Sequence, residues 1–422
     1  MTDEIRVSFI SPIMPDRTGN GLAMRMGMFL EALAQDAAVD LIVVPVAGGA
    51  VEPSAFACKF ARKIWRVDIA QRQDTSLRLL SVIDDPDLRL KHFRSYGKPS
   101  LTGFLSAAVR EELASILQLA RPDQLHVARA YLASCIDLIP SGAKFTSLDL
   151  DEDDRRSCLS QASVLAQEGE HASAAWQEQE ARAFSHHVGL YARRFICQFI
   201  SSQVDHGSII DAHRQLNPII IGNAVDVAPL KVRGSARSGM LFVGNLSYAP
   251  NIDGLRWFIR EVMPLIAEIT SSTSSLTIAG SHLSPTVREL ALSPGVRLVE
   301  NAASLTRYYD AARIAIAPMR SGAGVRIKCL EAAAHGTPLV ATSAAIEGSG
   351  LSAPSHCWTA DTAPEFAKAC TEAMSENSEP ADRAAAARKV VEMLHNRSNR
   401  VEEIRRTFRS KRASFINDKH PV

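Results

Sequence analysis

The chain has 422 residues, enough for two or three domains with sizeable cores. Its 47 Lys and Arg nearly balance 46 Asp and Glu, so no bulk attraction to nucleic acid is expected. Seven scattered cysteines, with no C-x-x-C spacing and an odd total, argue against a disulfide framework and for reduced thiols in a cytoplasmic setting.

The start, "MTDEIRVSFI", is acidic and enters a strand-like segment directly, without the basic opening and long apolar region of a signal peptide. No apolar run approaches the roughly 20 residues of a membrane helix. The basic end, "RSKRASFINDKHPV", allows at most peripheral membrane contact and reads more simply as a terminus.

In chain order, "IRVSFI" (5–10) is a β-rich run broken by "SPIMPDRTGNG" (11–21). A helical pattern follows over 22–35, then a continuous apolar strand, "VDLIVVPV" (39–46). Strand, glycine loop, helix, buried strand is the opening of a parallel α/β unit. A helix is expected over 100–123, strands at "QLHVAR" (124–129) and "KFTSLDLD" (144–151), and one long helix from about Arg155 to Ser185. Strands at 195–201 and 218–226 complete this half. The glycine-containing, basic "PLKVRGSARSG" (229–239) reads as a linker. The architecture then restarts. Strands at 239–244, 275–280, 295–300, 313–319 and 338–342 alternate with helices, one of them over 252–269. A helical tail runs from Pro380 to about Ser410. The fold class is therefore α/β, with two Rossmann-like doubly wound domains facing across a cleft, where ligands bind at the carboxyl ends of the strands. The expected boundaries are 1–228, linker 229–239, 240–395, and a terminal helix and tail at 396–422.

The densest chemistry lies in "MRSGAGVRIKCLEAAAHGTPLVAT" (319–342). A strand ends, a glycine turn follows, and a helix begins near Val325. Glycines let backbone amides approach a ligand, and a helix N-terminus presents free N–H groups and partial positive charge. Arg326 adds a planar fork and Lys328 a point charge, a combination suited to a diphosphate. Lys328, Glu331 and His335 share one helix face. Taken alone, the same spacing also fits an ordinary crossover whose Lys328–Glu331 pair is a weak surface ion pair.

The ordered segments "FVGNLSYAPN", "MPLI", "LTIAGS", "GVRLVE", "YYDAARIAIAPMRSGAGVRIKCLEAAAHGTPLVAT" and "EG" resemble the nucleotide-sugar-binding half of the retaining glycosyltransferases of group 1, also called family 4. The resemblance spans about Leu241 to Gly350. It extends more weakly to the first half through "SPIMPDRTGNGLAMR", "RPDQLHVAR", "SLDLDEDD" and "GNAVD". It implies the GT-B fold and transfer of a sugar, with retention, from a nucleoside-diphosphate sugar. The donor would be held mainly by the second domain. The acceptor, a saccharide, a lipid-linked molecule or a small metabolite, would lie mainly against the first. By position, Glu331 matches the acid that binds the nucleotide ribose. Gly322, Ala323 and Gly324 match the loop beside the phosphates and sugar, and Gly244 and Asn245 the loop facing the diphosphate. Gly19, Asn20 and Gly21 match the loop of the first domain, and Glu347-Gly348 a less constant feature.

One departure stands out. Ala323 occupies the position where many members carry a second, sugar-contacting glutamate. The strand "FVG" is also followed by no Arg or Lys, so Arg326 and Lys328 are the cations expected to stabilise the departing diphosphate. With those groups in place no metal or other cofactor is expected, and no residue stands out as a covalent nucleophile.

Asp149, Asp151, Asp153 and Asp154 suit a divalent cation by composition, yet acids before a helix are expected from its dipole alone. Asp149 or Asp151 reads better as an acceptor contact. His126 is either an acceptor contact at the cleft or a packed strand histidine. Arg25 and Arg129 meet an anionic acceptor or are solvated. His186-His187 is a weak metal hint, and Trp176 and Trp257 read as core or interface residues. The rivals to a transferase are a non-catalytic nucleotide-sugar-binding protein and a GT-B-like sugar epimerase. A dinucleotide oxidoreductase is disfavoured, because neither glycine loop completes G-x-G-x-x-G with a following ribose-binding acid.

Overall fold

The computed structural model describes all residues except 1–3, 49–51, 71, 228, 230–236, 272–274, 303 and 420–422. The chain forms two compact units, Met1–Gly222 with Ser398–Val422, and Asn223–Arg397. Most of the linker read at 229–239 lies outside the described residues, and its last two residues already belong to a strand.

The first unit is built on β1 (Arg6–Ser11), β2 (Ala38–Val43), β3 (Lys63–Arg66), β4 (Gln124–Ala128), β5 (Phe145–Asp151), β6 (Cys197–Ile200) and β7 (Ile219–Ile220). They form one sheet in the order β3-β2-β1-β4-β5-β6-β7, and every pairing is parallel. β1, β4 and β5 are buried almost end to end, because a parallel sheet is covered on both faces. β3 lies at the sheet edge with Lys63 and Arg66 exposed, a charged edge that the sequence pattern does not announce as a strand.

The second unit uses β8 (Ser238–Asn245), β9 (Leu276–Ser281), β10 (Val296–Glu300), β11 (Ala312–Ala317), β12 (Leu339–Ala341) and β13 (Trp358–Thr359). Their order is β10-β9-β8-β11-β12-β13, again all parallel. In both sheets the strand order reverses beside the first strand of the unit, the topology that brings loops together at the carboxyl ends.

Three helices differ from expectation. The helix expected over 155–185 is two, Asp154–Gln167 and His171–Tyr191, separated where Gly169 adopts φ 82°. A left-handed residue cannot continue a right-handed helix, and glycine adopts it at little cost. The helix expected over 252–269 runs from Ala249 through a wide π turn at Phe258–Val262 to Thr270. Pro264 has no N–H to give the carbonyl four residues back, and the widened turn absorbs that loss. The helix expected over 100–123 is a tight turn at Ser100–Phe104 and a helix at Ala107–Ala120, capped by Ser106.

The terminal helix, Arg397–Lys419, closes the core of the first unit. Phe408 is 1% exposed and packs among Phe29, Phe145 and Phe199, burial that contributes about 1.5–3 kcal/mol. Arg405 anchors the same helix to Asp36 at 2.9 Å.

Candidate functional site

In the second unit, β8 ends at Gly244-Asn245 and the helix Ile327–Ala334 begins with Arg326 at its N-cap. Gly244 is bare because two neighbours use its space. A Cβ there would lie 2.7 Å from Asn251 Nδ2 and 3.2 Å from Lys328 Nζ. Asn251 ties these parts together: its Nδ2 donates to Asn245 O at 2.7 Å, and its Oδ1 accepts from Lys328 Nζ at 2.7 Å. The Lys328 ammonium also sits 3.9 Å from the centroid of the buried Phe242 ring. Among the described residues no carboxylate pairs with it, so the surface-pair alternative for Lys328 and Glu331 does not hold. Burial pushes the Lys328 ammonium down to about 7.

Three residues along the helix, burial pushes the Glu331 carboxyl up to about 7, against the pull of a hydrogen bond from Tyr309 Oη to Glu331 Oε2 at 2.9 Å. The arrangement is a lysine that, among the described residues, has no carboxylate in ion-pair contact and feels Glu331 only at longer range, and, on the same helix face, a carboxylate with a single hydrogen-bond donor. An anionic group esterified to a polyol satisfies both.

Arg326 does something other than the sequence suggests. Its guanidinium turns back on its own loop and donates to Ala323 O and, at 3.3 Å, to Ser321 O. Gly322, at φ 109°, makes room for it, since a Cβ there would lie 2.3 Å from Nη2. Arg326 thus clamps the loop, and Lys328 is the cation that reaches Asn251 beside Gly244. Ala323 is 1% exposed, so its methyl group is interior, and its carbonyl is taken up by Arg326. Gly324, at φ 76°, makes the second left-handed turn before the helix.

In the first unit the loop Gly19–Gly21 follows the carboxyl end of β1. Gly19 adopts φ 94°, and Asn20 caps the helix Gly21–Leu33 by accepting from Leu22 N at 2.8 Å. Nearby in the sheet, Arg129 (φ 71°) and Asp151 (φ 65°), at the ends of adjacent β4 and β5, both hold left-handed backbone conformations. Two strained non-glycine residues side by side mark a place that the surrounding structure over-determines. Asp151 lies 3.1 Å from Arg129 and 3.4 Å from Arg25. Arg129 also meets Glu152 and Asp154, and Arg25 grips Asp149 through two bonds of 2.7 Å. These carboxylates are held by guanidinium groups, and Arg25 and Arg129 are buried rather than solvated.

His126 corrects an expectation. It is fully buried, stacks on Phe29 with ring centroids 4.9 Å apart, and bonds Ser147 Oγ through Nδ1 at 2.8 Å. Burial holds its imidazole down to about 3, so it is a neutral core residue and not an acceptor contact. Strand alternation could not reveal this, because the terminal helix carrying Phe408 covers that face of the sheet from 282 residues further along the chain.

Comparison with known proteins gives the class. Residues 237–376 match the family model described as glycosyl transferases group 1. Solved structures share the whole architecture. Sucrose-phosphate synthase from Thermosynechococcus elongatus superposes with a TM-score of 0.65 at 11% identity, covering 97% of this chain and 100% of that one. HepE of Anabaena, determined with UDP-glucose, gives 0.63 at 12% identity, covering 96% and 100%. TarM gives 0.65 at 10% identity, covering 97% and 99%. At such identities these likenesses establish the fold, which is GT-B. The matched residues lie within the second unit, which resembles a group 1 glycosyltransferase domain. A curated relative, an uncharacterized 44.6 kDa protein in the cps region of Klebsiella pneumoniae, is 35% identical over 119 residues, which cover 26% of this chain and 30% of that protein.

Proposed function

We propose that the protein transfers a sugar from a nucleoside-diphosphate sugar to a saccharide, lipid-linked or small-molecule acceptor, with retention and without a resident metal. The observation that carries this reading is the Lys328 ammonium, held by Asn251 Oδ1 with no carboxylate in ion-pair contact among the described residues, beside Gly244 and Asn245, one helical turn before Glu331, within the segment that matches the group 1 family model. Lys328 neutralises the diphosphate and gains strength as negative charge builds on the leaving group. Glu331 accepts from the ribose hydroxyls. The loop Gly322–Gly324 offers backbone groups to the phosphates and sugar. Gly19, Asn20, Gly21 and Asp151 belong to the acceptor side. UDP sugars are the first donors to try, since a neighbour in fold was determined with UDP-glucose. Among the described residues no helix is long and apolar enough to cross a membrane. A cytoplasmic protein, with at most peripheral membrane contact, is the reading we adopt.

A thermal-shift screen against UDP, GDP, ADP and their sugars tests the donor class. At 100 times the dissociation constant the right nucleotide adds about 2.7 kcal/mol. Excess chelator should leave that shift unchanged. A shift that collapses and returns with Mg²⁺ or Mn²⁺ would overturn the metal-free reading. One observation favours a second reading: buried Ala323 stands where many group 1 members resemble one another in carrying a sugar-contacting acid. Donor binding without turnover, across a broad acceptor panel, would favour a non-catalytic nucleotide-sugar-binding protein.

Proton exchange on donor binding gives an independent check. An intact nucleotide sugar has both phosphates esterified and does not itself titrate near neutrality. Above pH 7 the empty site holds Lys328 mostly neutral; the diphosphate raises its affinity for a proton, so binding takes one up. Below pH 7 Glu331 is mostly protonated; the ribose hydroxyls favour the carboxylate, so binding releases one. Calorimetry in buffers of different ionisation enthalpy should show proton uptake at pH 8, release at pH 6, and a change of sign near 7. Exchange of one sign throughout would refute one of the two assignments.

A further inference from the structure

Glu331 has a partner that neither the motif nor the family match assigns. Tyr309, on the short helix Thr306–Ala311, is 1% exposed, and its hydroxyl is spent on Glu331 Oε2 at 2.9 Å. Besides that bond, the tyrosine is fixed at two points. Thr337 Oγ1 donates to its backbone carbonyl at 2.9 Å. The His335 ring lies flat against its ring, with centroids 5.0 Å apart and planes 7° from parallel. His335 is in turn held 3.4 Å from Asp310. His335 and Thr337 follow Glu331 at the end of the same helix, so one local structure orients both partners of the hydrogen bond. A buried phenol held this rigidly gives the carboxylate one direction: Oε2 is occupied, and Oε1 is left for a ligand.

We propose that Tyr309 is a positioning residue for nucleoside recognition, holding one oxygen of Glu331 so that the other is aimed at a vicinal diol. The proposal rests on the reading of Glu331 as the ribose acid. It makes Tyr309 a determinant of specificity for ribo- over 2′-deoxyribonucleotides. A carboxylate aimed at a diol is left with an unmet acceptor when the hydroxyl is missing, and unmet buried groups are what give polar sites their discrimination. The groups that act on Glu331 directly are Tyr309 and Lys328, while His335 and Asp310 pair with each other beside the Tyr309 ring. The Tyr309 hydrogen bond favours the ionised carboxylate, which burial otherwise disfavours. Ribose discrimination therefore rises with pH as Glu331 ionises.

The test is the ratio of dissociation constants for the ribo and 2′-deoxy forms of UDP, GDP and ADP, followed from pH 5.5 to 8.5. The ratio cancels effects on the diphosphate, including those of Lys328. Tyr309→Phe should cut the discrimination at pH 7.5 about tenfold and move its midpoint to higher pH by about one unit. At saturating donor, kcat should be unchanged, so the loss falls on KM. Glu331→Gln should lose the pH dependence altogether. Unchanged discrimination and midpoint in Tyr309→Phe, with discrimination lost in Glu331→Gln, would overturn the role of Tyr309 alone. Discrimination kept in Glu331→Gln would overturn the ribose reading, and the Tyr309 role with it. If Tyr309→Phe does not fold, 3-fluorotyrosine at position 309, a stronger donor of the same shape, should move the midpoint to lower pH; a midpoint that stays in place overturns the proposal.

Discussion

Lys328→Ala lowers kcat for sugar transfer by roughly 10²-fold or more, with the fold intact. The ammonium is held by the Phe242 ring face and by Asn251 Oδ1, neither of which carries a full opposing charge. Its charge is thus poorly supported in the empty site and gains most from an anion whose charge grows toward the transition state. A group that binds donor and transition state equally would raise KM instead. Lys328→Arg should not rescue the rate. The ammonium occupies a space bounded by Gly244, Phe242 and Asn251, and a planar fork neither fits that space nor keeps the single bond to Asn251. Arg326→Ala should behave differently, because its guanidinium holds Ser321 and Ala323 carbonyls together. Losing it loosens the loop, so thermal stability falls and donor KM rises more than kcat drops. Steady-state kinetics on the two variants separates the roles. A Lys328→Ala enzyme with normal kcat would end the diphosphate reading of this loop.

The second unit was the more legible of the two, for a physical reason. Its candidate site lies at chain turns that need glycine, and glycine spacing is written in the sequence: Gly244 leaves room for Asn251 and Lys328, Gly322 for Arg326. That Lys328 and Glu331 share a helix face follows from periodicity, while the role expected of Glu331 came from the resemblance to group 1 glycosyltransferases. What periodicity could not give was the direction of a side chain. Arg326 and Lys328 are two residues apart and both cationic, yet one folds onto its loop and the other onto β8. Asn251 looks like an ordinary residue of a first helical turn, and Tyr309 is one of two adjacent tyrosines in "RYYDA", only one of which is fully buried. In the first unit the obstacle was distance along the chain. Arg25, His126 and Asp149 become core residues through contacts made by Ile221 and Phe408, and no local pattern carries that information.

Asp149→Ala should destabilise the first unit by about 3–5 kcal/mol, the cost of stranding a buried charge. Arg25 and Asp149 are both fully buried, and two bonds of 2.7 Å join them in the fork geometry that guanidinium and carboxylate favour. Burial works against the Arg25 charge, and Asp149 and then Asp151 outweigh it, so the arginine stays ionised. Once Asp149 is removed, Asp151, already shared with Arg129, is the remaining carboxylate beside Arg25. Removing both members of the pair is a different experiment. Arg25→Met with Asp149→Leu exchanges two desolvated charges for apolar volume and should recover most of the loss, although the bond from Arg25 Nη1 to Ile221 O at 2.8 Å also goes. The two units need not unfold together, so the first must be watched separately. Replacing Trp257 and Trp358 by Phe leaves Trp65 and Trp176, both in the first unit, as the fluorescent reporters. Urea unfolding in that background should then show a much lower midpoint for Asp149→Ala and a largely restored one for the double variant. A loss below about 1 kcal/mol, the range of an exposed ion pair, would mean that this network does not hold the carboxyl ends of β4 and β5 in place.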